Sequence, residues 1–158
     1  GELPIPIVRL GRALGLEIYE KMDLGKNISA EIRRNEETEA GYEINISYSD
    51  LRVRKRFSIA HEIAHYLLHE DLIGEVIVDN AIYKSGLAEN IEFEANRLAT
   101  DLLMPLSRVM HRHDQIRDYE YFDKLSVLSG NFGVSQIAMR IRLKAIGVFE
   151  YEADRVST

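Results

Sequence analysis

Apolar and polar residues alternate with a two-residue period in the first third of this chain and with a helical period after it. Ile28, Ala30 and Ile32 alternate with polar neighbours, and Tyr42, Ile44, Ile46 and Tyr48 do so again, as half-buried strands require. The polar segment Asn35 to Gly41 between them reads as the loop of a β-hairpin. Leu16 and Ile18 share one face of a third expected strand. Before it, Ile7, Leu10 and Leu14 mark a short helix within Ile5 to Leu16, stopped near Gly15. From Ser49 the period lengthens. Phe57, Ala60, Ile63, Ala64, Leu67 and Leu68 form the stripe of a core-facing helix over about residues 50–69, with Ser49 or Asp50 as its cap. Glu75 to Val78 reads as a short strand or extended loop. A second helix over about residues 88–104 turns Ile91, Ala95, Leu98, Ala99, Leu102 and Leu103 inward, and Pro105 ends it and can open the next turn. Tyr119 to Ser129 and Ser135 to Ile146 read as two further helices around Gly130-Asn-Phe-Gly133. The expected class is α+β: a small N-terminal antiparallel-type sheet at about residues 16–48, then a helical body, in one domain over residues 1–158.

Composition narrows the function classes. At 158 residues, 46% hydrophobic and 29% charged, the chain has the mixture of a globular protein with one core. Twenty Lys and Arg against twenty-six Asp and Glu leave a net charge of -6, which argues against a surface wrapped on nucleic acid. No apolar run approaches the ~18 residues of a membrane span, and no basic segment leads into an apolar one at the start. The absence of cysteine removes disulfides, thiolate zinc sites, iron–sulfur clusters and thiol nucleophiles. The expected location is cytoplasmic.

Against that background one motif stands out, His61-Glu62-Ile63-Ala64-His65, an HExxH inside a strong helical pattern. Two imidazoles four residues apart lie on one helix face and can reach a single ion, with Glu62 placed to accept a proton from water beside it. A catalytic zinc takes three protein ligands. The extended metzincin pattern needs a Gly and a third His where this chain has Leu68 and Asp71, so it does not apply. His69 lies eight residues, roughly 12 Å of axis, from His61 and reads as a helix-end residue. A carboxylate on the second helix remains, from Glu89, Glu92 or Glu94. Glu92 is preferred because Asn96, four residues on, shares its face and can hydrogen-bond a ligating imidazole, whereas Glu94 reads as solvated. The expectation is a gluzincin-like His₂Glu site for one zinc ion, with another divalent metal as the alternative.

The segments Arg56-Phe-Ser-Ile-Ala-His-Glu-Ile-Ala-His-Tyr-Leu-Leu-His69 and Glu92-Phe-Glu-Ala-Asn-Arg-Leu-Ala-Thr-Asp-Leu-Leu-Met-Pro105 together resemble the ImmA/IrrE family of metallopeptidases. Phe132-Gly-Val-Ser-Gln-Ile-Ala-Met-Arg-Ile-Arg-Leu143 is similar to that family's closing helices, so the resemblance covers roughly residues 28–147. It implies zinc on His61, His65 and Glu92 with Glu62 as general base. Leu98 replaces the family's usual Phe, a conservative core difference. Members are associated with cleaving repressor proteins in mobile elements and stress responses. The resemblance therefore implies a zinc endopeptidase acting on a regulatory protein, a repressor or antitoxin. The alternative is a zinc-bearing toxin or anti-repressor that captures its partner without cleaving it.

The remaining features carry weaker readings. Arg52, Arg54, Lys55 and Arg56 form a basic run that is either a docking patch or a solvated edge. His111 and His113 are candidates for stabilising an oxyanion, against the alternative of an exposed helix. Tyr66, Tyr83, Tyr119 and Tyr121 do not single out one tyrosine for that role. The helical pair over Leu125 to Leu143, with Arg140, Arg142 and Lys144, has a helix-turn-helix outline. Its many apolar positions and the acidic chain favour packing over DNA binding.

Overall fold

The computed structural model describes residues 1–74 and 86–148. A short helix α1 (Ile7–Ala13) leads into strand β1 (Glu17–Lys21), and the expected hairpin forms from β2 (Ala30–Arg34) and β3 (Tyr42–Ser47). β2 and β3 pair antiparallel, with Ile32 opposite Ile44. β1 joins the other edge of β3 in parallel, with Ile18 opposite Ile44, so the sheet is mixed, in the order β1-β3-β2. β3 takes the centre because it has the one unbroken buried run of the three, Ile44, Asn45 and Ile46. Alternation outlasts the ladder: Ile28 and Tyr48 lie beyond the paired residues and are exposed.

Helix α2 (Arg52–His69) packs against both β2 and β3 and, more extensively, against α3 (Gly86–Leu103). Its cap is Leu51, with no side-chain hydrogen bond, rather than Ser49 or Asp50. Asp50 instead pairs with Arg54 at 3.4 Å, one turn along. Ile59, Ala60, Ile63 and Ala64 face inward as expected, but Leu67 and Leu68 are exposed. On α3, Ile91, Ala95, Ala99 and Leu103 are buried. Glu75 to Val78 lies outside the described residues. Pro105 closes α3 and caps α4 (Leu106–Gln115). The last pair is α5 (Tyr121–Phe132) and α6 (Gln136–Ala145), where the Ser135 hydroxyl accepts the Ala138 N–H at 3.1 Å. The core joins both layers: Ile7, Ile32, Ile44, Ile59 and Ile63 are all at most 2% exposed. Burying each contributes about 2 kcal/mol. Gly11 lets α1 settle there, since a Cβ would stand 2.7 Å from the Ile18 side chain.

One expectation about charge is corrected. Arg56 is a buried tether and no docking residue: its guanidinium donates to Ile5 O at 2.8 Å, Gly133 O at 3.1 Å and Phe132 O at 3.4 Å. It thereby joins the N-terminal segment and the end of α5 to α2. Gly133 ends α5 at φ +63, and a Cβ there would meet Arg56 Nε at 2.7 Å, so both conformation and space call for glycine. Arg142, on the helical pair expected to pack rather than to bind DNA, folds back onto Met104 O at 3.0 Å and Asp101 at 2.9 Å. Met139 and Leu143 of α6 are buried, whereas Ile137 and Ile141 are exposed. Among the described residues, no helix is long and apolar enough to cross a membrane.

Arg56→Ala leaves buried carbonyls without their donor and should lower stability by on the order of 3 kcal/mol in urea denaturation. Lysine cannot reproduce the fork, so Arg56→Lys should recover little. Arg52→Ala, at an exposed position in the same turn, should stay within about 0.5 kcal/mol of the parent.

Candidate metal centre

The site is built from the facing sides of α2 and α3. His61 and His65 project from successive turns of α2, with their Nε2 atoms 3.0 Å apart. Glu92 reaches them from α3: its Oε2 lies 3.0 Å from His61 Nε2 and its Oε1 3.1 Å from His65 Nε2. The three ligand atoms lie within 4.8 Å of one another, the only such group of three His, Asp or Glu side chains among the described residues.

The outer hydrogen bonds set which way the imidazoles present themselves. His61 Nδ1–H donates to Asn96 Oδ1 at 2.9 Å. His69 Nε2–H donates to Glu94 Oε2 at 2.9 Å, which leaves His69 Nδ1 to accept from His65 Nδ1–H at 3.1 Å. With both rings neutral, the inner Nε2 atoms therefore carry lone pairs aimed at the same carboxylate. Three acceptors held about 3 Å apart repel one another unless positive charge lies among them. This donor set, two imidazole nitrogens and one carboxylate with outer nitrogens already bonded, fits a divalent ion.

Burial and charge tune the group. When His61 or His65 is protonated its Nε2–H donates to Glu92, and these hydrogen bonds hold the Glu92 carboxyl far below the usual carboxylate range. Burial pulls His61 down, but the adjacent Glu92 outweighs it and the net shift is upward. In the more deeply buried His65, burial prevails and the shift is downward. Burial pushes Glu62 up to about 7, against the charge of His61 and with the charges of Glu92 and Glu31. Glu31, which sequence reasoning missed, stands on β2 where Asn45 Nδ2 donates to it at 3.2 Å.

His61, Glu62, His65, Glu92 and Asn96 all line one open cavity of about 1090 Å³ between β2, the start of α2 and α6. Other expected residues lie elsewhere. His111 and His113, on α4, do not line it; His111 faces Gln115 and borders a separate cavity with Arg108 and Arg112. Tyr66 stacks near Tyr42, at 5.7 Å between ring centres, and Tyr119 and Tyr121 do not reach the cavity, while Tyr83 is outside the described residues. Of the basic run, Arg54 lines the cavity and donates to Ser29 Oγ at 2.9 Å, Lys55 pairs with Glu20 at 3.4 Å, and Arg52 is exposed. Glu89 is exposed. Two readings change: His69 is a buried member of the site's hydrogen-bond chain, and Glu94, although 59% exposed, is its acceptor. The signal was in the spacing, since His69 continues the four-residue series of His61 and His65.

A family model described as the IrrE N-terminal-like domain, a peptidase family, matches residues 13–144. Among solved structures, a Mycobacterium tuberculosis transcriptional regulator aligns with a TM-score of 0.59 and 21% identity, over 87% of this chain and 40% of that one. The chain thus spans well under half of that regulator's length, and at this identity the likeness is one of fold. No curated protein matches the chain.

The raised Glu62 pKa has a measurable consequence in metal-free protein. Between the ordinary carboxyl value of 4.5 and about 7 the folded state binds more protons than the unfolded one, so stability falls as pH rises through that window. Glu62→Gln removes the loss. Relative to wild type, the variant should gain on the order of 3 kcal/mol between pH 4 and pH 8 in metal-free urea denaturation, at about 1.4 kcal/mol per pKa unit. A difference between the two proteins that does not change with pH would contradict the assignment.

Proposed function

The chain belongs to the IrrE N-terminal-like domain family of peptidases, and from that premise we propose that it is a zinc-dependent endopeptidase cleaving a regulatory protein, a repressor or antitoxin, in the cytoplasm. The observation that carries the reading is the convergence of His61 Nε2, His65 Nε2 and Glu92 on one point of an open cavity that Glu62 also lines. His61, His65 and Glu92 would hold the ion. When bound, a divalent ion supplies Lewis-acid polarisation of a peptide carbonyl and acidifies water toward neutral pH.

The chain's own residues supply the rest. Glu62 accepts the proton from the attacking water at a carboxylate oxygen and delivers it to the nitrogen of the leaving amine, so the carboxylate is restored with each turnover. Burial makes it a stronger base than an ordinary carboxylate, as that task requires. A purely structural metal site, or a protein that only captures its partner, has no use for a buried carboxylate that costs stability at neutral pH.

Substrate approach is favoured along β2. Among the described residues it is an edge strand of the sheet, and Ala30, Glu31 and Ile32 line the same cavity, so an extended segment can add to it by backbone pairing. Lys26 and Arg54 border the cavity and favour acidic side chains on the incoming segment. Arg54 thus keeps a docking role that Arg56, held on backbone carbonyls, does not have. The transcriptional regulator of similar fold supports a regulatory setting.

Glu62→Gln should reduce cleavage of the cognate regulator by about two to four orders of magnitude, the usual size of a general-base contribution. Zinc content by elemental analysis should stay near wild type, whereas His61→Ala should lose both zinc and cleavage. Undiminished cleavage by Glu62→Gln overturns the mechanism.

A further inference from the structure

Glu94 and His69 stand in line behind His65, and neither touches the point where the three ligand atoms meet. We infer that His69, anchored by Glu94, is a positioning residue that fixes the tautomer and orientation of His65. The inference rests on the reading that His61, His65 and Glu92 hold a metal ion.

Proton placement is set along a chain of acceptors. Glu94 Oε2 has only lone pairs to offer, so His69 must place its proton on Nε2, at 2.9 Å. With His69 neutral, its Nδ1 is then a bare lone pair and receives a proton from His65 Nδ1, at 3.1 Å. His65 in turn is left with its lone pair on Nε2, the atom facing Glu92 and His61. Without Glu94, His69 can carry its proton on Nδ1. His65 Nδ1 would then become the acceptor, and the proton of His65 would sit on Nε2, where it blocks ligation. One carboxylate at the surface thus sets the state of the ligating nitrogen through two imidazole rings.

Burial makes this chain harder to replace than its counterpart on His61. The His65 side chain is 1% exposed and that of His69 6%, so water has little access to the outer nitrogen of His65. The His61 side chain is 16% exposed and bonds Asn96 at an exposed position, where water can substitute for the lost amide. A buried donor left without an acceptor carries the full desolvation penalty, an exposed one does not. The two outer bonds therefore contribute unequally to metal binding.

The test is zinc affinity, measured by competition between zinc chloride and a chromogenic chelator at fixed pH. Loss of an outer hydrogen-bond partner typically weakens metal binding ~10–100-fold, and that is the loss expected for His69→Leu. His69→Asn places an acceptor oxygen close to the position of Nδ1 and should recover most of the affinity. Glu94→Ala, at a side chain 59% exposed, leaves packing intact and should still weaken zinc by several-fold or more, and by more than Asn96→Ala does. Thermal melting of the metal-free proteins separates this from a folding defect, since Glu94→Ala should melt with wild type. Wild-type affinity in both His69→Leu and Glu94→Ala overturns the inference, as does equal loss in His69→Leu and His69→Asn. A wild-type protein that binds no zinc sinks the metal reading itself and this inference with it.

Discussion

The antiparallel packing of α2 against α3 sets His61 beside Asn96 and His65 beside Glu92, and without that contact neither helix has a site. Short side chains let two helices approach closely. Ala60 and Ala64 on α2, and Ala95 and Ala99 on α3, are all fully buried. The pairs follow from direction: going one turn back along α2, from His65 to His61, is matched by one turn forward along α3, from Glu92 to Asn96. One helix supplies both nitrogens and the other the carboxylate, so the separation of the two axes decides whether three atoms converge or miss.

The opposite side of α2 explains why that geometry is held. Ile59 and Ile63 join the core formed by Ile32, Ile44 and Ile7, and the sheet thereby backs the helix that carries the ligands. Arg56, one turn before the motif, ties the same helix to the N-terminal segment and to the end of α5 through backbone carbonyls. The cavity lies where these layers part, between α6 and β2, an edge strand among the described residues. β2 and the Glu62 carboxylate thus line one cavity.

The site itself works against stability. Lone pairs converge within about 3 Å, and the Glu62 carboxyl is buried near two other carboxylates, Glu92 and Glu31. Such conflicts are uncommon in a core unless chemistry requires them, because surrounding packing has to offset their cost. A divalent cation bound there would relieve most of them at once, and its binding would then be coupled to folding stability.

Much of this was legible in the order of residues. Two-residue alternation located the hairpin, helical periodicity located α2 and α3, and the spacing of His61 and His65 placed two imidazoles on one face. The four-residue offset of Glu92 and Asn96 placed both on one face of α3. These are statements about neighbours along one element, which local periodicity governs. What the sequence did not determine lies across elements. β1 runs parallel to β3, Arg56 is drawn inside, His111 and His113 face away, and His69 and Glu94 join the hydrogen-bond chain. Each depends on which surface packs opposite and at what distance. Periodicity says which residues share a face, and only the packed tertiary structure decides what that face meets.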